Sequence, residues 1–231
     1  MTRTLRPTVL PLVLLALTAT PGTAAARQAA TEYRVDPARS HIVVVTGRSG
    51  LLSFLGHEHA ILATSWDATL CYDEAAPEAS RAAVVVDTRA LVVDTDSART
   101  LAGLGDGPGE GTRAELQEKL LAPERLAAAE HPRLSFRTTT VRPENAHRLM
   151  VRGVLEIRGV SREVELPVEV ERPAPDELRL TGSLRFKQSD YGIRPETVAG
   201  VVKVKDEVEL RVTLVGVRTA EACRLPAPGG G

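Results

Sequence analysis

Hydrophobic and polar residues alternate in three successive runs between residues 149 and 188. Because successive side chains of a β-strand point to opposite faces, each run predicts a strand with one apolar face and one charged face. The spacers at 158–161 and 172–176 contain Gly or Pro and predict turns, so the three strands should be antiparallel neighbours. This region therefore predicts a sheet with one dry side, against which something else must lie.

The rest of the chain shows the same strand pattern with one interruption. Further strands are expected over 33–48, 61–72, 81–93, 133–141 and 201–217. Together with the three runs above they make about eight strands, in an order that does not fit βαβ crossovers. The pattern predicts a single all-β domain, built either as a sandwich or as a closed barrel.

The interruption begins with a glycine-rich stretch at 103–111, which predicts a flexible linker. A capping-box spacing follows at 112–115, with leucines at helical spacing after it, so one helix should begin there. A second helical turn is expected from Pro123 to Ala129. The segment Asp94-Thr95-Asp96 resembles the start of a calcium loop but lacks its glycine and closing glutamate, so it predicts a turn.

The first residues predict export. Arg3 and Arg6 precede an apolar run at 9–17, and three alanines end at Ala26, which is the layout of a secretory signal peptide. The apolar run is too short for a membrane anchor, and no later segment reaches a spanning length. A periplasmic or secreted protein without a stable membrane span is therefore expected. Its predicted parts are a signal peptide at 1–26, a folded domain at 32–217 and a disordered tail at 218–231.

Charge and cysteine content narrow the partner classes. The chain has 29 Lys and Arg against 30 Asp and Glu and lacks a basic stripe with aromatics, so nucleic acid is not an expected partner. Cys71 and Cys223 could form a disulfide in an oxidising compartment or remain separate thiols. Separate thiols are favoured, because Cys223 lies in a segment that ends in Pro and Gly residues.

The apolar side could bury a packed core or a cavity. Only three Phe, three Tyr and one Trp are present, so Val and Leu must supply most of the interior. A barrel lined by such residues is compatible with one apolar ligand, but an ordinary sandwich core has the same pattern. An outer-membrane barrel does not fit, because charged residues occupy the outer face that lipid would contact. Asp206 interrupts the apolar parity of the last strand, and a β-bulge is favoured there over a carboxylate at a cavity mouth.

Three histidines form the sharpest chemical cluster in the sequence. His57 and His59 flank Glu58, and such a pair on an extended segment places both imidazoles on one side, with His41 upstream. No third ligand stands at a recognisable spacing, so a polar loop at a barrel rim is the other interpretation. The sequence has no phosphate loop, nucleophile elbow or Cys/His pair, which argues against an enzyme. No cofactor is expected.

Four segments resemble, in the same order, those of the YceI-like proteins. They are 33–42 (YRVDPARSHI), 131–136 (HPRLSF), 153–162 (GVLEIRGVSR) and 189–193 (SDYGI). The resemblance implies an eight-stranded antiparallel, lipocalin-like barrel with one short helical insertion. It also implies a binding protein, not an enzyme, that carries or sequesters a long-chain isoprenoid or similar amphiphile and could be related to envelope stress.

The contacts to such a ligand are predicted from strand parity. The apolar tail should lie against inward residues of the later strands, with the head group near the rim beside His57 or His59. No metal site is assigned, and the oligomeric state is open between monomer and homodimer. Two alternatives remain: a metal-dependent enzyme or metal-binding protein using His41, His57 and His59, and an envelope protein with a solid core. The predicted lining is Leu149, Val151, Leu155, Val164, Leu166, Val168, Leu180, Leu184, Phe186, Val208 and Leu210.

Overall fold

The computed structural model describes residues 30–49, 58–194, 197–198 and 202–225. The predicted signal peptide and His57 lie outside these ranges. The described part contains two α-helices, α1 (Asp96–Ala102) and α2 (Glu110–Leu121), and no helix in it is long and apolar enough to cross a bilayer. Its strands are β1 (Thr31–Val35), β2 (His41–Ser49), β3 (His59–Ala63), β4 (Trp66–Tyr72), β5 (Arg81–Asp87), β6 (Leu91–Val93), β7 (Arg133–Asn145), β8 (Arg148–Ile157), β9 (Val160–Glu171), β10 (Glu177–Lys187), β11 (Thr197–Val198) and β12 (Val202–Ala222).

Eight strand positions close into an antiparallel barrel. Three positions each contain two short strands in succession, namely β1 with β2, β3 with β4, and β5 with β6, since β2 pairs with β3 while β1 pairs with β4. The strands β7, β8, β9, β10 and β12 follow as a meander, and β12 pairs with both β1 and β2. This last pairing joins the two edges of the sheet. The predicted eight-stranded antiparallel barrel is therefore confirmed.

Helix α1 covers the outside of β2 and β3. Val43 and Val45 point outward from β2 and pack in one cluster with Ala98 and Ala102 of α1. The alternate residues of β2 face the barrel interior. The unbroken hydrophobic run at 42–45 thus reflects a strand that is buried on both faces.

The start of each helix differs from the prediction. The predicted turn at 94–96 is instead the start of α1, because the Thr95 hydroxyl accepts a hydrogen bond from the Ala98 N–H and caps the helix. Helix α2 begins at Glu110, so the predicted capping-box residue Thr112 lies inside it. The predicted helical turn at 123–129 was also wrong, since these residues form non-helical turns.

The end of β12 is bonded covalently to the barrel. Cys71 and Cys223 form a disulfide, so the preference for separate thiols was wrong. The last residues of β12 pair with β1, and the strand therefore continues to Ala222, past the predicted domain boundary at 217. Thr31 pairs with Ala222 on one side and with β4 on the other, which brings the two cysteines together.

The predicted β-bulge in β12 is confirmed. The pairing of β12 with β2 changes register between Val204 and Val208. Asp206 lies within this change, and its carboxylate accepts hydrogen bonds from the Ser189 N–H at 3.0 Å and the Ser189 hydroxyl at 2.6 Å. The carboxylate thus holds the short 3₁₀ turn that follows β10 and does not line the interior.

Candidate ligand-binding cavity

The barrel encloses a cavity of about 560 Å³. Its wall consists mainly of Val, Leu and Ile side chains from the inward face of the strands. Pockets that bind small molecules have volumes of roughly 300–1,000 Å³, so this space is large enough for a ligand. The alternative of an envelope protein with a solid core is contradicted by this cavity.

All but one of the eleven predicted lining residues lie on the cavity wall. The exception is Val164, which packs against the core but does not line the cavity. Val164 pairs with Gly153, and a Cβ at Gly153 would lie 2.5 Å from the ring of Phe136. The ring of Phe136 therefore occupies the space over this glycine and itself lines the cavity. Contact of these side chains with a ligand stays a prediction.

The strands from β2 to β6 supply lining residues that the predicted set does not include. Their inward residues alternate in shorter runs, so the same parity rule could have found them. Helix α2 adds two leucines that periodicity alone could not place over the barrel. These further apolar lining residues include Ile42, Val44, Ile61, Leu70, Val84, Val86, Leu91, Leu116 and Leu120.

The two ends of the cavity differ in their access to solvent. At the end near the Cys71–Cys223 bond, here called the disulfide end, the lining residues Tyr72 and Ser80 are buried. At the opposite end, here called the helix end, the lining residues Thr112 and Glu115 of α2 are exposed. Residues that line the cavity and also contact solvent mark an opening. The cavity is therefore accessible beside α2.

The Gln117 side chain attaches helix α2 to the edge of the barrel. The Gln117 amide donates to the Leu91 carbonyl at 2.8 Å and accepts from the Val93 N–H at 3.0 Å. These two bonds continue the backbone pairing of β6, whose other edge pairs with β3. No residue of α2 is fully buried, but Leu116 and Leu120 are half-buried on the cavity wall, and Leu120 packs against the core. The helix therefore covers the opening with an apolar edge.

A buried polar network lies beside this opening. His59 lines the cavity, and its Nδ1 lies 2.5 Å from Oδ2 of Asp94, whose side chain is fully buried. The other carboxylate oxygen accepts hydrogen bonds from the Ala60 N–H at 3.0 Å and from the Arg99 guanidinium at 2.8 Å. Arg99 also donates to the carbonyls of Gly105 and Glu58. The network joins β3, β6, α1 and the following loop at one point.

The Asp94 carboxylate is stabilised in its charged form. Burial raises the pKa of this carboxyl, but hydrogen bonds from His59, Ala60 and Arg99 outweigh that effect and hold the pKa below its ordinary value. A buried carboxylate with partners on both oxygens fixes the orientation of the groups around it. His59 is thus held in place by Asp94, as a rim residue predicted from the sequence; His57 lies outside the described residues.

The predicted cluster of His41 with His59 is not formed. His59 pairs with Thr46 on β2, which at the rise of a strand lies about 17 Å along the strand from His41. Burial lowers the pKa of the His41 imidazole, and the charge of Arg179 adds to this effect. Among the described residues, no three His, Cys, Asp or Glu side chains lie close enough together to hold a metal ion. The alternative in which His41 and His59 bind the same metal ion is therefore wrong.

Comparison with known proteins identifies relatives of this architecture. The sequence model of the YceI-like domain matches residues 33–216. No curated protein matches the chain. The crystal structure of Burkholderia cenocepacia BcnA is 20% identical, with a TM-score of 0.60, over 78% of this chain and 98% of that one.

Two further solved structures share the fold at lower identity. The Campylobacter jejuni YceI protein is 15% identical, with a TM-score of 0.53, over 70% of this chain and 85% of that one. A polyisoprenoid binding domain from Saccharophagus degradans, implicated in plant cell wall breakdown, is 12% identical with a TM-score of 0.53, over 82% of this chain and 99% of that one. At these identities the structural similarity shows only that the proteins share the barrel fold. The family is shown by the match of the YceI-like sequence model.

Proposed function

The chain belongs to the YceI-like family, and on that basis we propose that it is an exported protein that holds the apolar tail of a long-chain isoprenoid or similar amphiphile inside its barrel. The observation that carries the proposal is the apolar cavity with an opening at the helix end. A solved relative of the same fold is a polyisoprenoid binding domain, which supports this class of ligand. The protein acts as a carrier or sequestering protein and performs no chemistry on its cargo.

The affinity comes from burial of the hydrocarbon tail. Each methylene that leaves water contributes roughly 0.8 kcal/mol before the entropy lost on association is subtracted. The cavity wall offers aliphatic contacts along its whole length, from Leu149 toward the disulfide end to Val208 at the helix end. A tail inserted from the opening leaves its polar head group beside α2 and His59.

Export matches this role. An amphiphile with a long apolar tail is poorly soluble in water, so a protein that shields the tail is useful in an aqueous compartment outside the cytoplasm. The predicted signal peptide at 1–26 would deliver the chain there. A disulfide between Cys71 and Cys223 is typical of proteins in such oxidising compartments.

The test is extraction of lipid from the purified protein followed by mass spectrometry. We expect an isoprenoid or a related long-chain amphiphile at a ratio approaching one per protein. A folded preparation that carries no lipid and takes up no long-chain isoprenoid would contradict the proposal.

A matched pair of substitutions on β8 separates the interior from the outside. Leu155 lines the cavity, whereas the neighbouring Val154 is 36% exposed on the outer face. Leu155→Trp should fill part of the cavity and reduce the amount of bound lipid, because the indole occupies the space of the tail. Val154→Trp adds the same ring outside and should leave binding unchanged. Equal losses in both variants would indicate that the interior is not the binding site.

A further inference from the structure

The orientation of His59 is set by groups that do not touch the cavity. Its strand alternates, so that His59 and Ile61 face the interior while Ala60 packs under α1. The side chain of His59 is 25% exposed, and that of Asp94 behind it is 0% exposed. The imidazole therefore has one nitrogen against a buried carboxylate and its remaining edge toward the opening of the cavity.

The hydrogen on the imidazole can be located from its neighbours. Arg99 is always charged, and its guanidinium contacts the Asp94 carboxylate at 2.8 Å, so the buried carboxyl is paired as an anion. An ionised carboxylate only accepts hydrogen bonds. The Nδ1 atom of His59, 2.5 Å from that carboxylate, must therefore donate. In a neutral ring, Nε2 is then left with a lone pair.

In its neutral form the ring can present an acceptor to the cavity. Asp94 and Arg99 carry opposite charges and form a buried ion pair behind the ring, while the cavity wall is mainly apolar and has charged side chains such as Glu115 and Lys119 of α2 at this end. Among the residues that the structure describes, none other than Asp94 forms a hydrogen bond with His59. The Nε2 lone pair of the neutral ring is thus an acceptor held in a fixed direction, which this end of the cavity presents to a head group together with the Glu115 carboxylate of α2.

We propose that His59 selects ligands whose head group donates a hydrogen bond, such as a long-chain prenyl alcohol, and that Asp94 is the positioning residue that fixes its acceptor nitrogen. This inference rests on the proposed function, because it concerns the polar end of the same ligand. An alcohol satisfies Nε2 with its O–H, whereas the methyl ether of the same chain has no hydrogen to give. A hydrocarbon of the same chain measures tail binding alone.

The first test reads the ring itself, without a ligand. Long-range proton–nitrogen correlation spectra of protein labelled with ¹⁵N-histidine distinguish a protonated from an unprotonated ring nitrogen. The chain has five histidines, and the spectrum of His59→Phe identifies the signals of His59. We expect the hydrogen on Nδ1 in the native protein. In Asp94→Asn it should move to Nε2, because the amide oxygen stays with Arg99 and the amide nitrogen then donates to Nδ1. A native ring that carries its hydrogen on Nε2 would overturn the inference.

The second test compares three probes: geranylgeraniol, its methyl ether and the corresponding hydrocarbon. Native protein should bind the alcohol about tenfold more tightly than the ether, the difference that one buried hydrogen bond makes. In His59→Phe and in Asp94→Asn, the affinities for the alcohol and for the ether should differ by no more than about twofold. The hydrocarbon should bind the native protein and both variants with equal affinity. His147→Phe, an exposed position at the disulfide end, is the control and should keep the native preference.

The outcomes separate the two proposals. If all three probes bind native protein with equal affinity, the selection by His59 is wrong while the cavity function stands. If none binds, the proposed function fails and the head-group selection fails with it. Should Asp94→Asn not fold, the preference in His59→Phe and the native tautomer still decide the result.

Discussion

At the disulfide end of the barrel, Cys71 is bonded to Cys223, and the Arg224 guanidinium forms two hydrogen bonds with the buried Glu32 carboxylate. At the helix end, α2 is attached to β6 by the two hydrogen bonds of the Gln117 amide. At the first end the lining residues Tyr72 and Ser80 are buried, although Arg81 is half-buried, whereas Thr112 and Glu115 at the second end are exposed. One end is thus closed by a covalent bond and an ion pair, and the other by a helix that has no fully buried residue.

The two ends therefore have different roles: the disulfide end stabilises the fold, and the helix end controls access of a ligand to the cavity. The disulfide closes a loop of 152 residues and restrains the unfolded chain, whichever ligand is bound. Opening of α2 breaks the two hydrogen bonds of Gln117 and exposes the half-buried Leu116 and Leu120, so it requires far less free energy than unfolding of the barrel. Ligand exchange should therefore take place at the helix end while the disulfide end stays intact.

Loss of the disulfide should have the largest effect on stability. In the chain-entropy model a loop of this length contributes about 5 kcal/mol, so the free energy of unfolding should fall by about 4–5 kcal/mol in Cys71→Ala/Cys223→Ala. Urea denaturation with and without reductant measures this, and the double variant should not respond to reductant. Lipid binding by the folded variant should persist. A large loss of binding at full folding would contradict the division between the two ends.

Removal of the buried carboxylate at the helix end should have the next largest effect. Asp94→Ala leaves Arg99 buried without its counter-charge and should lower the free energy of unfolding by about 3 kcal/mol. The value lies at the low end for a buried pair, because Arg99 keeps the carbonyls of Gly105 and Glu58 as acceptors. Thermal and urea denaturation measure the change. A loss below about 1 kcal/mol would show that the network does not stabilise this end.

Acid should weaken both ends through their buried carboxylates. The hydrogen bond from Arg224 lowers the pKa of Glu32, although burial opposes this effect. Burial also raises the pKa of Asp94, but its hydrogen bonds from His59, Ala60 and Arg99 hold that pKa below its ordinary value. The folded pKa of Glu32 lies below its ordinary value of 4.5, and that of Asp94 lies below 3.8. The stabilisation of the fold by both carboxylates is therefore complete above about pH 5 and is lost as the pH falls through the lowered, folded pKa values.

The free energy of unfolding should therefore decline from pH 5 to pH 3. Urea denaturation at both pH values should show about 1 kcal/mol less decline in Asp94→Asn than in native protein, with a smaller change in Glu32→Gln. Asp94 accepts three hydrogen bonds in full burial, whereas the partner of Glu32 is 72% exposed. An unchanged decline in both variants would show that these carboxyls do not titrate differently on folding.

The smallest effect is expected from the attachment of α2. Gln117→Ala removes two hydrogen bonds and should reduce the free energy of local opening by about 1 kcal/mol, with little change in global unfolding. Hydrogen exchange should then be faster in 110–121 and unchanged in β1 and β12. Glu118→Ala, an exposed position on the same helix, is the matched control. Equal exchange in the two variants would mean that Gln117 does not hold the helix.

The barrel was predictable because its strands alternate. The parity of Leu149, Leu166 and Leu184 gave their inward direction correctly, since a strand has only two faces. The exception at Val164 depends on a neighbour: the ring of Phe136 lies over Gly153, and no local pattern contains that contact. Which residues line a cavity therefore follows from parity, apart from places where a large side chain from another strand intervenes.

The polar end was much less predictable. The sequence predicts His59 as a rim residue, but its partner Asp94 lies 35 residues away in a segment whose pattern predicts a turn. The disulfide was missed for a similar reason, because the composition of the tail suggested disorder while β1 in fact pairs with the end of β12. Both contacts depend on the closure of the barrel, which brings distant segments together.

The most direct test of a ligand inside the barrel is the measurement of nuclear Overhauser effects between a bound prenyl chain and ¹³C-labelled methyl groups. Protein refolded without lipid would be titrated with geranylgeraniol. We expect contacts from the prenyl methyls to Leu155, Leu166 and Leu184 on the cavity wall, and none to Val85 or Val154 on the outer face. Contacts confined to the outer methyls, or the absence of any contact with the inner ones at saturation, would contradict this expectation.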